Sequence, residues 1–254
     1  MRLVCFGADC FVFFHHEIYA KMGKLVLIRH GESLWNGRNL FTGWVDVPLT
    51  QAGIVEASWA SRQVNSIGFD VVYTSALIRS LQTAFIVLLS DPKHRTPYLV
   101  HTSDLIHRKW YNRFCAAEHK NMIPVYRCRQ LNERYYGDLQ GFSKAKIADI
   151  FSVEEVVSWR KGYTERPPKG ESLKDTSNRV IPFFNRVIMK QLDEGKNVLV
   201  SAHSNTLRSI MMKLEQMDEA QVVGLEVDTA SVAVYNYDGQ SFVREELPKK
   251  DLTK

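Results

Sequence analysis

No apolar run in this 254-residue chain approaches the roughly 20 residues that a membrane-crossing helix requires. Cysteine is scarce as well: Cys5 and Cys10 lie near the N-terminus, and Cys115 and Cys128 lie in or beside one central segment. So few, in a chain this long, do not build a disulfide framework, and a core without any fits a reducing, cytoplasmic compartment. Like-signed charges do not collect into blocks, so the formal net charge of +5 suits a small anionic ligand better than a nucleic acid, for which no strong motif is present. Paired metal-ligand groups are also missing. Cys115, His107 and His119 lie near one another without the usual spacing, and no metal is expected.

What is present is the composition of an ordinary packed domain, 45% hydrophobic and 24% charged, far from the signature of disorder. Residues 1–21 read as an extension of doubtful structure. Leu3 to Phe14 is apolar behind Arg2, like the start of a secretory signal, but Asp9 interrupts it and His15, His16 and Glu17 stand where a small-residue cleavage site belongs. Met22 offers a second start. Residues 22–254 read as a single domain with one sizeable core.

Within that domain, Lys24 to Arg29 and Val198 to Ala202 are short apolar strands that each end directly at a histidine, His30 and His203. Of the eight histidines, these two alone lie outside the extension and the central segment. A strand is expected at Asp70 to Thr74, and helices at Thr50 to Val64, with Thr50 as cap, and at Ala76 to Leu89. Further helices are expected at Ser143 to Phe151, Val153 to Lys161, Ser172 to Leu192 and Asn205 to Glu215, and late strands at Ala230 to Tyr235 and Ser241 to Glu245. Such alternation predicts an α/β three-layer sandwich, a mostly parallel sheet flanked by helices, with its ligand crevice beyond the carboxyl ends of the strands. The stretch 91–124, with Pro92, Pro97 and Pro124 and no sustained period, reads as a loop insert.

Arg29-His30-Gly31-Glu32 sets a cation, an imidazole and a glycine at a strand end, where glycine would let backbone N–H groups approach an anion. His203-Ser204-Asn205-Thr206 opens a helix whose N-terminus favours an anion. Two histidines with arginine and asparagine suit phosphoryl transfer, one attacking as a neutral imidazole and the other donating a hydrogen bond. A single R-H-G triplet is more often a strand-end histidine satisfied by backbone. The longer string narrows the choice.

Leu27-Ile28-Arg29-His30-Gly31-Glu32-Ser33, Trp35-Asn36 and Phe41-Thr42-Gly43-Trp44-Val45-Asp46-Val47-Pro48-Leu49 resemble the signature of cofactor-dependent phosphoglycerate mutases in the histidine phosphatase superfamily. Tyr73-Thr74-Ser75-Ala76, Arg79, Leu131 to Gly137, Leu139-Gln140-Gly141, Lys144, Gly170 to Thr176 and Ala202-His203 follow in the family's order. The resemblance implies that His30 is phosphorylated, that Arg29, Asn36, Arg79 and His203 surround the transferred group, and that Glu133 is the general acid and base. Arg134, Tyr136, Lys144, Arg160 and Lys161 would hold the substrate's carboxylate and second phosphate, Thr42 and Gly43 would line its pocket, and Ser204 and Asn205 would flank the anion. It implies interconversion of 3-phosphoglycerate and 2-phosphoglycerate, in glycolysis and gluconeogenesis, with 2,3-bisphosphoglycerate priming His30 and no metal. The short connection between Tyr163 and Glu171 resembles the short-chain type and favours a monomer, with neither nucleic acid nor membrane as partner. Lysines 249, 250 and 254 would form a reduced basic tail or a frayed end.

Three departures stand out. Lys161 replaces a second arginine and forgoes its bidentate grip, Ser204 replaces a glycine, and Asp228-Thr229-Ala230 replaces a Pro-Thr-Gly turn. If Ser204 needed positive φ it would be strained; if not, its hydroxyl would be a further donor. The balance favours modest impairment at Ser204. Two other readings remain: a histidine phosphatase acting on small metabolites, and a degenerate paralogue that binds without catalysis.

Overall fold

The computed structural model describes residues 22–101 and 120–247. The extension 1–21, Cys115, His107, His119 and the three C-terminal lysines lie outside these residues. One seven-stranded sheet runs in the order β3-β4-β2-β5-β1-β6-β7. Its strands are β1 (Gly23–Arg29), β2 (Val71–Ser75), β3 (Thr96–Leu99), β4 (Met122–Cys128), β5 (Val198–Ala202), β6 (Val232–Tyr237) and β7 (Phe242–Arg244). All pairings from β3 to β1 are parallel, whereas β6 runs antiparallel to β1 and to β7. The three-layer α/β expectation therefore holds.

Alternation along each strand explains the layering, because successive side chains point to opposite faces. On β1, Leu25 and Leu27 join one apolar cluster and Val26 and Ile28 the other. The first cluster takes Val180, Phe183, Phe184, Ile188, Leu192, Leu207 and Ile210 from one helical layer, and the second takes Val64, Leu81, Ala84, Val87 and Leu88 from the other. A strand buried on both faces reads as a continuous apolar run, which is how β1 and β5 appear in the sequence.

The helices are α1 (Leu34–Gly37), α2 (Gln51–Gln63), α3 (Ile78–Leu88), α4 (Lys144–Ile150), α5 (Val153–Lys161), α6 (Leu173–Phe183), α7 (Met189–Asp193), α8 (Ser204–Leu214) and α9 (Glu219–Gly224). Thr50 caps α2 by accepting from Gly53 N–H, as expected. The single helix expected at 172–192 is instead α6 and α7 joined by a π-helical turn, Phe184–Ile188, just after Pro182, whose missing N–H and ring disturb the α ladder.

The stretch 91–124 needs a larger correction, since its ends are strands: Thr96–Leu99 forms the sheet edge, and Met122, Ile123 and Pro124 begin β4. Both prolines are tolerated for positional reasons. Pro97 is on the edge strand, and Pro124 precedes the β2 ladder, which starts at Val72–Val125. The residues between, 102–119, lie outside those described. No helix among the described residues is long and apolar enough to cross a membrane.

Candidate active site

The carboxyl ends of β1, β2, β4 and β5 converge on one cleft of about 230 Å³. His30 follows β1 and is buried, its N–H bonded to Ala202 at the end of β5. Its Nδ1 lies 2.6 Å from the carbonyl oxygen of Gly31. A carbonyl only accepts, so Nδ1 carries the proton and Nε2 keeps its lone pair. Burial, then the charges of Arg79 and Arg29, hold the imidazole well below the usual histidine range, so it is neutral at physiological pH.

His203 follows β5 and is fully buried, its ring 4.9 Å from that of His30 in an edge-on contact. Burial and the neighbouring Arg79 lower its pKa strongly too. His203 Nε2 lies 2.7 Å from Ser75 Oγ, which itself accepts the Leu77 N–H. His203 Nδ1 has no protein partner. Ser75, at the end of β2, thus holds the ring of the second histidine in place. Its sequence context, Tyr73-Thr74-Ser75-Ala76, gives no sign of this contact.

The cations of the floor share one arrangement. Arg29 donates to the Val227 carbonyl at 2.6 Å, and Arg79 to the carbonyls of Gly43 and Val45 at 2.8 and 2.9 Å. Burial brings Arg79 down to about 10, which leaves it charged at neutral pH. Both Nε atoms are buried without a protein acceptor, as are Arg134 Nε and Thr42 Oγ1. Orphaned buried donors are costly, and their concentration around one cleft fits an anionic ligand. Gly43 has φ of +51°, a conformation that admits glycine readily, and its carbonyl is one of the two that hold Arg79.

Gly31 has a different task from the one its sequence suggests. Its N–H donates to Thr83 Oγ1 at 3.1 Å rather than facing an anion, and a Cβ there would meet the Gly53 carbonyl oxygen at 2.2 Å. Glycine is needed because the loop after β1 lies directly on α2.

Glu133, on the segment after β4, lines the cleft with its Oε1 accepting from the N–H groups of Arg134 and Asn205 at 2.7 and 3.3 Å. Asn36, Thr42, Gly43, Tyr136, Lys144, Arg160, Lys161, Ser204 and Asn205 also line it. Burial, with Arg160 and Arg29 nearby, lowers Lys144 to about 8. His203 and Arg134 are not on the wall: both sit behind it, and Arg134 donates to the Arg160 carbonyl and to Asn205 Oδ1.

Sequence reasoning missed Arg208, which lines the cleft while donating to Asn205 Oδ1 and to the Val222 carbonyl. One helical turn beyond Asn205, it shares that residue's face of α8, the only signal available. Glu226 also escaped notice. It pairs with Lys161 at 3.1 Å, so the lysine that replaces an arginine is engaged by a carboxylate. Ser204 opens α8 without positive φ, and the strained branch of that expectation is set aside. Strain lies instead at Ala230, buried with φ of +52° and its N–H on the His30 carbonyl.

A parallel sheet, a cleft at its carboxyl edge and two neutral histidines among buried arginines define an anion-binding α/β protein equipped for group transfer. The family model of the histidine phosphatase superfamily (branch 1) matches residues 25–99 and 93–248. The chain belongs to this superfamily and, within it, to the family of 2,3-bisphosphoglycerate-dependent phosphoglycerate mutases. Curated relatives of that name from Chlamydia pneumoniae and Chlamydia felis are 46% and 44% identical, over 85% and 89% of this chain and 94% and 99% of their own. The solved alpha-ribazole phosphatase of Shigella flexneri shares the fold with a TM-score of 0.66 at 25% identity, over 88% of this chain and 95% of its own.

Proposed function

We propose that the chain interconverts 3-phosphoglycerate and 2-phosphoglycerate through a phosphohistidine on His30. The observation that carries this reading is the neutral His30 with Nε2 unprotonated, ringed by donors that lack protein acceptors. 2,3-Bisphosphoglycerate would supply the phosphoryl group that primes His30, and the orphaned donors of Arg29, Arg79 and Thr42 fit such a polyanion.

In the forward half, His30 Nε2 attacks phosphorus, a P–N bond forms and the P–O bond breaks. The leaving oxygen takes the proton of a protonated Glu133 carboxyl. In the return half, the resulting carboxylate takes the proton of the other glycerate hydroxyl as its oxygen attacks phosphorus and the P–N bond breaks. Arg29 and Arg79 meet the charge on the equatorial oxygens, and His203 packs edge-on against the His30 ring. Lys144, Arg160 and Lys161 hold the substrate's remaining anionic groups, with Arg134 fixing Arg160 and Asn205 from behind.

The reading needs no divalent ion, and excess chelator is expected to leave turnover unchanged. It further takes the protein as cytoplasmic and monomeric. Incubation with 2,3-bisphosphoglycerate labelled in its phosphates tests the reading: label should appear on His30, and isomerisation should outrun phosphate release. Phosphate release outrunning isomerisation would instead favour a histidine phosphatase.

A further inference from the structure

Arg179, on α6, devotes its guanidinium to the backbone that carries Glu133. Nη1 donates to the carbonyls of Gln130 and Asn132, each at 2.8 Å, and Nη2 to the carbonyl of Glu133 at 2.7 Å. Nε and Nη2 also meet the two carboxylate oxygens of Glu171, both at 2.9 Å. Glu171 Oε2 in turn accepts the Tyr135 N–H at 3.0 Å. One ion pair therefore grips the backbone of four of the six residues from 130 to 135.

The carbonyl of Glu133 has a second donor, Trp44 Nε1. The guanidiniums of Arg129 and Arg179 lie over the indole at 5.2 and 5.6 Å from its centre. Trp44 directly follows Gly43, whose carbonyl holds Arg79. The contact thus ties the segment carrying the acid/base to the opposite wall. Arg179, Glu171 and Trp44 do not themselves line the cleft.

We infer that Arg179, oriented by Glu171 and seconded by Trp44, is a positioning residue that sets Glu133 at proton-transfer distance from the substrate oxygen. The inference rests on the acid/base role proposed for Glu133. Only a planar fork reaches three carbonyls and a carboxylate together; a lysine ammonium does not span them. Since the clamp acts on the proton donor and not on the phosphate pocket, its loss affects reactions in proportion to their need for a proton. An alkoxide must be protonated as it leaves, whereas 4-nitrophenolate departs without help.

The test compares Arg179→Lys with the unaltered protein on 3-phosphoglycerate, primed with 2,3-bisphosphoglycerate and read as isomer plus released phosphate, and on 4-nitrophenyl phosphate, read as the first-turnover burst of nitrophenolate, before water has to clear the phosphohistidine. The first rate should fall about 10- to 100-fold, the scale of a misplacement near 1 Å, with KM within about threefold. The second should fall less than about threefold. Trp44→Phe removes one donor and should show the same inequality at smaller size, which keeps the test open should Arg179→Lys fold poorly. Equal loss of both rates, or no loss of either, overturns the inference. If the unaltered protein releases phosphate without forming isomer, the mutase reading fails, while the unequal loss still bears out the clamp.

Discussion

The floor of the cleft and its mouth hold cations in opposite ways. On the floor, Arg79 is buried and Arg29 half-buried, and the partners that fix them are the carbonyls of Val227, Gly43 and Val45. At the mouth, Lys161 is half exposed and its partner is the carboxylate of Glu226, with Asp228 on the same wall. A carbonyl orients a guanidinium without cancelling its charge, so the floor stays positive and ready for a phosphoryl group. A carboxylate neutralises what it holds, so the mouth must exchange partners when an anion enters. The floor is organised for transition-state charge and the mouth for entry.

The comparison breaks most completely at His30. His30→Ala is expected to abolish phosphoenzyme labelling and to lower turnover by about 10⁴-fold or more, since no other side chain at that strand end offers a nucleophile. Retained labelling would remove the floor from the chemistry.

Lys144 lies between the two regions, and its lowered pKa gives it a pH signature. The free protein loses this positive charge as pH rises through about 8. kcat/KM, which reports the free enzyme, should therefore fall above that pH, and Lys144→Arg should remain level to higher pH. A profile that is flat for both proteins would exclude Lys144 from binding.

At the mouth, Glu226→Gln should lower KM for phosphoglycerate about two- to fivefold at low salt, the scale of an exposed ion pair. The gain should fade toward 0.5 M salt, at roughly which concentration the screening length falls to a few ångströms. A KM that does not move would mean the carboxylate and the substrate do not compete.

Ala230→Gly gives the smallest effect. Relief of the left-handed backbone, about 1 kcal/mol, is offset by the entropy of an added glycine, so thermal unfolding should shift by less than about 1 kcal/mol. A large destabilisation would show that packing of the buried alanine methyl outweighs the strain.

How much of this was legible depended on whether local pattern and tertiary role coincide. β1 and β5 were readable because both their faces are buried, and α2 because Thr50 marks its start. His30 and His203 followed, each placed by a strand end. β3 and β4 were hidden by Pro97 and Pro124, since a proline's harmlessness in a sheet depends on which neighbour its missing N–H would have met. Arg79 and Arg134 entered through family resemblance, whereas the buried Arg208 and the half-buried Arg179 look like any surface residue in the sequence. The turn at Asp228-Thr229-Ala230 was singled out, but the concern about positive φ was placed on Ser204, because dihedral angles follow from how a loop closes and not from residue type alone.

The contact between Gly31 and Gly53 also bears on descent. A Cβ on Gly31 would strike the carbonyl of Gly53, and a Cβ on Gly53 would strike the Glu32 carbonyl oxygen at 2.1 Å. Each clash is with backbone, so neither position admits a side chain whatever residue the other carries. Inheritance on α2 is thereby split: its outward residues, Ile54, Val55 and Ser58, are exposed and open to change, while the line of the helix facing the histidine loop is closed to it.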